Sequence, residues 1–107
     1  MSNYRFMRML VFFDLPVQTV SQRREYTRFR KFLIKEGFIM IQESVYSKLT
    51  LNSTVTSAVT DRIKKNKPSD GIVQLLVITE KQYNSMEFIV GQKHGDIIDT
   101  DERLVIL

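Results

Sequence analysis

Two segments of this chain, residues 4–14 and 72–79, carry large apolar side chains on both of their alternating faces. Successive side chains on a strand point to opposite sides. In the first segment Met7, Met9, Val11 and Phe13 share one face, and Phe6, Arg8, Leu10, Phe12 and Asp14 share the other. In the second, Val73, Leu75 and Val77 oppose Ile72, Leu76 and Ile78. Strands of this kind belong in a sheet covered on both faces. Whatever the chain folds into must therefore supply two covering layers.

The intervening sequence supplies one. Tyr26, Phe29 and Leu33 recur at helical spacing and predict a helix over 19–36, with Gly37 as its C-terminal cap. Val55, Val59 and Ile63 predict a second helix over 51–66, capped by Asn52 or Ser53. Between them, 38–42 and 45–49 have strand patterns close enough for a hairpin. Pro16 and Pro68 punctuate, and Ser69-Asp70-Gly71 reads as a turn. The order strand, helix, strand, strand, helix, strand is the α+β, ferredoxin-like βαββαβ arrangement.

Two helices cover only one face of such a sheet. Leaving the other wet, at roughly 25 cal/mol per Å² of apolar area, forfeits many kcal/mol. A homodimer closed face to face about a twofold axis solves this. The alternative is that residues 80–107 fold back over the face. Residues 104–107 are all apolar, which predicts an extra C-terminal strand added to the partner subunit's sheet. The chain reads as a single domain, 1–107, with 80–107 as a C-terminal extension at the dimer interface.

Some chemistries are excluded by residue counts. There is no cysteine, hence no disulfide and no thiolate nucleophile or ligand. A single histidine argues against a His-rich metal site and against most histidine-based triads. The longest apolar run, residues 9–13, is too short to span a membrane or to form a signal-peptide core. The expected location is cytoplasmic, with no membrane partner.

The net charge of +4 hides a split. Residues 1–67 hold 13 Lys/Arg against 5 Asp/Glu, while residues 68–107 hold 3 against 7. A basic body suggests a polyanionic partner. Within the first predicted helix Arg24, Arg28, Lys31 and Lys35 fall on one side, flanked by Arg23 and Arg30. That spacing suits a phosphate backbone; it equally suits a solvated face partly paired through Glu25 and Glu36. Arg62, Lys64, Lys65 and Lys67 complement the dipole at the end of the second helix.

Asp14 ends the first strand, just before Leu15-Pro16, and parity puts it on the face assigned to the dimer. Near a twofold axis it would meet its own copy. Two carboxylates there repel unless they share a proton or a cation, and Mg²⁺ suits oxygen ligands. The competing reading, that Asp14 accepts hydrogen bonds in the turn, stays open. His94 lies in a glycine-flanked loop. Ser44, Ser47 and Tyr46 have hydroxyls but no visible base.

Phe12-Phe13-Asp14-Leu15-Pro16, Phe29-Arg30-Lys31-Phe32-Leu33, Gly37-Phe38 and Gln42-Glu43-Ser44-Val45-Tyr46 occur in order along the chain. Together they resemble the small CRISPR-associated endoribonuclease family, the non-integrase subunit of the spacer-acquisition complex, and its type II-like branch in particular. The resemblance covers essentially the whole chain. It implies a ferredoxin-like homodimer that bridges dimers of the CRISPR integrase subunit and binds double-stranded DNA. It further implies Mg²⁺-dependent cutting of single-stranded RNA or double-stranded DNA, with Asp14 as catalytic and metal residue. Arg23, Arg24, Arg28 and Lys31 are then the expected nucleic-acid contacts. One position departs from the family: Met40 stands where many members carry an arginine, and a thioether cannot neutralise a phosphate. Two rival readings are a stand-alone toxin-type endoribonuclease and a non-catalytic RNA-binding module. The latter would need exposed aromatics such as Phe6 and Phe12 on the sheet.

Overall fold

The computed structural model describes residues 6–92. The expected C-terminal strand at 104–107 and His94 lie outside the described residues. Four strands and two long helices follow the expected order: β1 (Met7–Asp14), α1 (Val20–Lys35), β2 (Ile39–Gln42), β3 (Val45–Thr50), α2 (Ser53–Lys65) and β4 (Ile72–Thr79). A short helix, α3 (Glu80–Asn84), follows directly and is not expected from the sequence. The sheet is antiparallel throughout, in the order β2-β3-β1-β4. This is the ferredoxin-like α+β architecture, with the doubly apolar β1 at an interior position.

Local signals explain the element ends. Thr19 caps α1 in a reciprocal box with Gln22: the hydroxyl accepts from Gln22 N at 3.0 Å, and Gln22 Oε1 accepts from Thr19 N at 3.0 Å. Gly37, at φ +99°, ends α1, with Phe38 N donating to Leu33 O and Gly37 N to Ile34 O, both at 3.0 Å. That pair of bonds is the Schellman pattern, which a glycine adopts without steric penalty. Asn52 caps α2 by accepting from Val55 N at 2.9 Å.

Both long helices lie on the Met9–Val11–Phe13 side of β1. Phe29 and Leu33 of α1, Val59 and Ile63 of α2, and Tyr46 of β3 complete the core. The Phe13 ring is its hub, with centroids of Tyr26, Phe29 and Tyr46 at 5.8, 5.4 and 5.6 Å. Edge-on and stacked aromatic pairs at such spacings add to the burial of apolar area.

The opposite face has no second helical layer among the described residues. At its centre Leu10 and Ser47 are buried by their neighbours, but Phe6, Ile39, Leu49, Ile72 and Leu76 are exposed. The α3 helix partly caps one end of this face. Arg8 donates to both carboxylate oxygens of Glu80 at 2.8 and 2.6 Å, and its guanidinium lies 4.4 Å from the Tyr83 ring centroid. Glu80 N also donates to Phe6 O at 3.0 Å. Residues 80–84 thus fold back over the Arg8 end and leave the Asp14 end, about 20 Å away along the strand, open.

Candidate functional site

Asp14 is the last residue of β1, exposed on the uncovered face and paired across the sheet with Ile72. Two features hold it in place. The β2–β3 hairpin turn, Glu43-Ser44, places Ser44 at φ +65°, and its carbonyl accepts from Phe13 N at 3.1 Å. On the other side Gly71, at φ +90°, brings the chain entering β4 under the end of β1. A Cβ there would lie 2.7 Å from the Asp14 carbonyl oxygen and 2.8 Å from Leu15 Cδ2. Only a residue without a side chain allows that approach.

Around Asp14 lies an open depression of about 400 Å³, walled by Phe12, Glu43, Ser44, Ile72 and Gln74. Glu43 is a second carboxylate at this site that sequence reasoning does not single out. A signal for it exists: it sits in a two-residue hairpin turn beside the strand end. All donors here are oxygens, which is the chemistry of a hard cation. Among the described residues no group of three carboxylate or histidine side chains comes together. In the turn before α1, where the competing reading has Asp14 accept, Gln22 Oε1 accepts from Gln18 N and Thr19 N at 2.9 and 3.0 Å. Of the three hydroxyl candidates, Tyr46 and Ser47 are buried, whereas Ser44 lines the depression.

The four expected nucleic-acid contacts lie elsewhere. All belong to α1, on the other side of the sheet from Asp14, so one protomer does not bring the two groups together. Arg23 Nη1 donates to Val17 O and Gln18 O, both at 3.0 Å, tying down the loop before the helix. Arg28 pairs with both Glu25 oxygens, at 3.2 and 3.1 Å, and donates to Asn66 O at 3.1 Å. The Arg28 guanidinium holds the Glu25 carboxyl below its usual pKa, with a backbone bond from Ser69 adding to the effect. Arg24 and Lys31 are exposed and make no ion pair among the described residues. Met40, at the departure from the family pattern, is exposed on β2. Among the described residues no helix is long and apolar enough to cross a membrane.

The model of the family described as CRISPR associated protein Cas2 matches residues 7–86, which run from the first residue of β1 to just past α3. The chain belongs to the Cas2 family. Over 101 residues, 94% of the chain and 100% of the relative, it is 55% identical to a CRISPR-associated endoribonuclease Cas2 of Treponema denticola. It is 48% identical to the protein of that name in Ligilactobacillus salivarius, again over 94% of the chain and 100% of the relative. The Streptococcus mutans UA159 protein is likewise 48% identical, over 94% of the chain and 93% of the relative. The matched residues include both Asp14 and the basic residues of α1.

Proposed function

We propose that the protein is a homodimeric subunit of CRISPR spacer acquisition that bridges integrase dimers and binds double-stranded DNA. Its sheet face carries a Mg²⁺-dependent endonuclease site centred on Asp14. The observation that carries this reading is the exposed Asp14 carboxylate at the open end of an apolar sheet face. A second copy docked on that face by a twofold axis brings two such carboxylates towards each other. The names of the relatives, which are endoribonucleases, support phosphodiester hydrolysis as the chemistry.

The chain's own residues have distinct tasks in this scheme. Asp14 and its copy hold the cation, with Glu43 adding negative charge beside them. The apolar walls, Phe12 and Ile72, limit water around the reacting phosphate. When bound, Mg²⁺ screens a phosphate oxygen and makes a water more acidic. Among the described residues the charged side chains lining the depression are the carboxylates Asp14 and Glu43, so a nucleic acid meets negative charge there unless metal is present. The scheme therefore requires metal for substrate approach as well as for chemistry.

The decisive experiment is a nuclease assay with and without magnesium, on wild type and Asp14→Ala, with single-stranded RNA and duplex DNA as substrates. Cutting should need the metal and vanish in the variant. Spacer capture in cells should survive, because it needs only the basic surface and the dimer. Magnesium-dependent cutting that persists in Asp14→Ala refutes the catalytic assignment. Loss of capture by a folded, dimeric variant refutes the separation of scaffold from catalysis.

A further inference from the structure

The basic side chains of α1 belong to a larger surface that the packing of the two helices creates. Arg62 of α2 donates to both oxygens of Glu36, at the end of α1, with distances of 2.9–3.0 Å. Nearby, Arg28 of α1 reaches Asn66 O at the end of α2. These two arginines bridge the outer seam between the helices, and each also neutralises a glutamate, Glu25 or Glu36. Both remain substantially exposed, at 42% and 50% of the side chain.

At about 100° per residue, Arg24, Lys31 and Lys35 all lie within ~60° of Arg28 around α1. Around α2, Lys65 lies within ~60° of Arg62, whereas Lys64 is rotated by ~160° to the far flank. The four cations Arg24, Lys31, Lys35 and Lys65 are exposed and make no ion pair with a carboxylate among the described residues. The arginines thus neutralise Glu25 and Glu36; Asp61, one turn before Lys65 and ~40° from it around α2, is the exposed carboxylate that remains beside these four cations, so the seam keeps an excess of positive charge. From Arg24 to Lys35 this spans about 16 Å of helix, close to five base-pair steps of one DNA strand.

We infer that the α1–α2 seam is the docking surface for a nucleic-acid backbone, with Lys35, Arg62 and Lys65 as contacts alongside Arg24 and Lys31. This deepens the nucleic-acid reading above and rests on it. The seam lies beyond the helix layer, at least a helix diameter, ~10 Å, from the sheet. It faces away from Asp14. The phosphates held at the seam of one protomer are therefore not the phosphates exposed to that protomer's Asp14, so holding and cutting use different stretches or molecules of nucleic acid.

The test is fluorescence anisotropy of a labelled DNA duplex with the full chain over about 50–200 mM salt, comparing wild type with two variants. Lys31→Gln/Lys35→Gln/Lys65→Gln should flatten the log-affinity against log-salt slope by about 2–3, near 0.9 for each phosphate that is no longer neutralised. Lys64→Gln, which removes the same charge as Lys65→Gln but on the far flank, should keep the wild-type slope. Thermal melts establish that both variants are folded. An unchanged slope in the triple variant overturns the seam. So does a Lys64→Gln slope flattened by about 0.9, since binding would then follow net charge and not position. Wild type that binds no duplex at all removes the DNA-binding reading itself, and the seam with it. A single-stranded RNA arm separates the two backbones. Binding to phosphatidylserine vesicles that the triple variant loses, while it still holds duplex, would assign the seam to a lipid surface and overturn the inference.

Discussion

Gly71 is the residue whose replacement would move Asp14 most directly. Alanine there places a methyl group 2.7 Å from the Asp14 carbonyl oxygen, at a φ of +90° that side chains rarely adopt. Gly71→Ala should cost about 1–3 kcal/mol and lower cutting in step with the displacement of Asp14. A thermal midpoint equal to wild type would show that β1 and β4 do not meet as closely as the structure has them. Glu25 makes a prediction about pH. Its folded pKa is depressed by Arg28, so its contribution to stability is present above its unfolded pKa. It is lost as pH falls through the depressed folded value. Glu25→Gln should therefore lower stability at neutral pH and flatten the acid limb of the stability–pH curve below about pH 4.5, with variant and wild type converging where the glutamate is protonated in both states. At this scale the sequence is partly legible. Strand parity alone assigns Asp14 to the open face, because a period of two leaves no choice once Phe13 is in the core. Helical spacing reads Arg23 and Arg28 as phosphate contacts, yet their observed partners include backbone carbonyls at Val17, Gln18 and Asn66. Spacing around a helix carries no information about such partners.

Among the elements of the described residues, only α3 escapes a reading of the sequence, and the reason is its length. Five residues complete too little of two helical turns for periodicity to register. The signal that exists is a reciprocal cap: Thr79 accepts from Gln82 N at 3.0 Å, and Gln82 Oε1 accepts from Thr79 N at 2.9 Å. Four strands and two long helices are legible because caps and apolar periodicity agree in each. What attaches α3 to the sheet is the Arg8–Glu80 pair, whose side chains are only 16% and 25% exposed. Removing Glu80 would strand a guanidinium on an otherwise apolar face. Glu80→Ala should cost about 1.5–3 kcal/mol, the range for a hydrogen bond to a charged partner. In a double-mutant cycle with Arg8→Met, the coupling should recover a large part of that loss. Hydrogen exchange at residues 80–84 should accelerate in Glu80→Ala. Strictly additive effects, with unchanged exchange, would mean that the cap alone holds α3.

For the whole molecule, the doubly apolar pattern of β1 and β4 requires a second cover, and the described residues supply only part of it. The fold-back of 80–84 protects the Arg8 end, but Ile72 and Leu76 remain 58% and 47% exposed along β4. These residues flank the row that ends in Asp14, so the surface that needs covering and the candidate metal site are continuous. The sequence states that need but not how much of it α3 meets, because the Arg8–Glu80 contact joins residues 72 positions apart. A second copy is the cover proposed for the rest. Leu76→Glu tests this directly. The side chain is half-exposed in one protomer, so a single folded chain can solvate the carboxylate. Across a twofold interface, however, the substitution would bury a charge in each copy, which costs several kcal/mol per ion. Light scattering should give twice the 12.6 kDa chain mass for wild type and the single mass for Leu76→Glu, with far-ultraviolet circular dichroism unchanged. Metal-dependent cutting should fall with the dimer even though Asp14 is intact, because one carboxylate pair is then split between two separate molecules. A wild type that runs at the single mass, or a Leu76→Glu protein that stays at the double mass, would place the interface elsewhere and leave Asp14 without its twin.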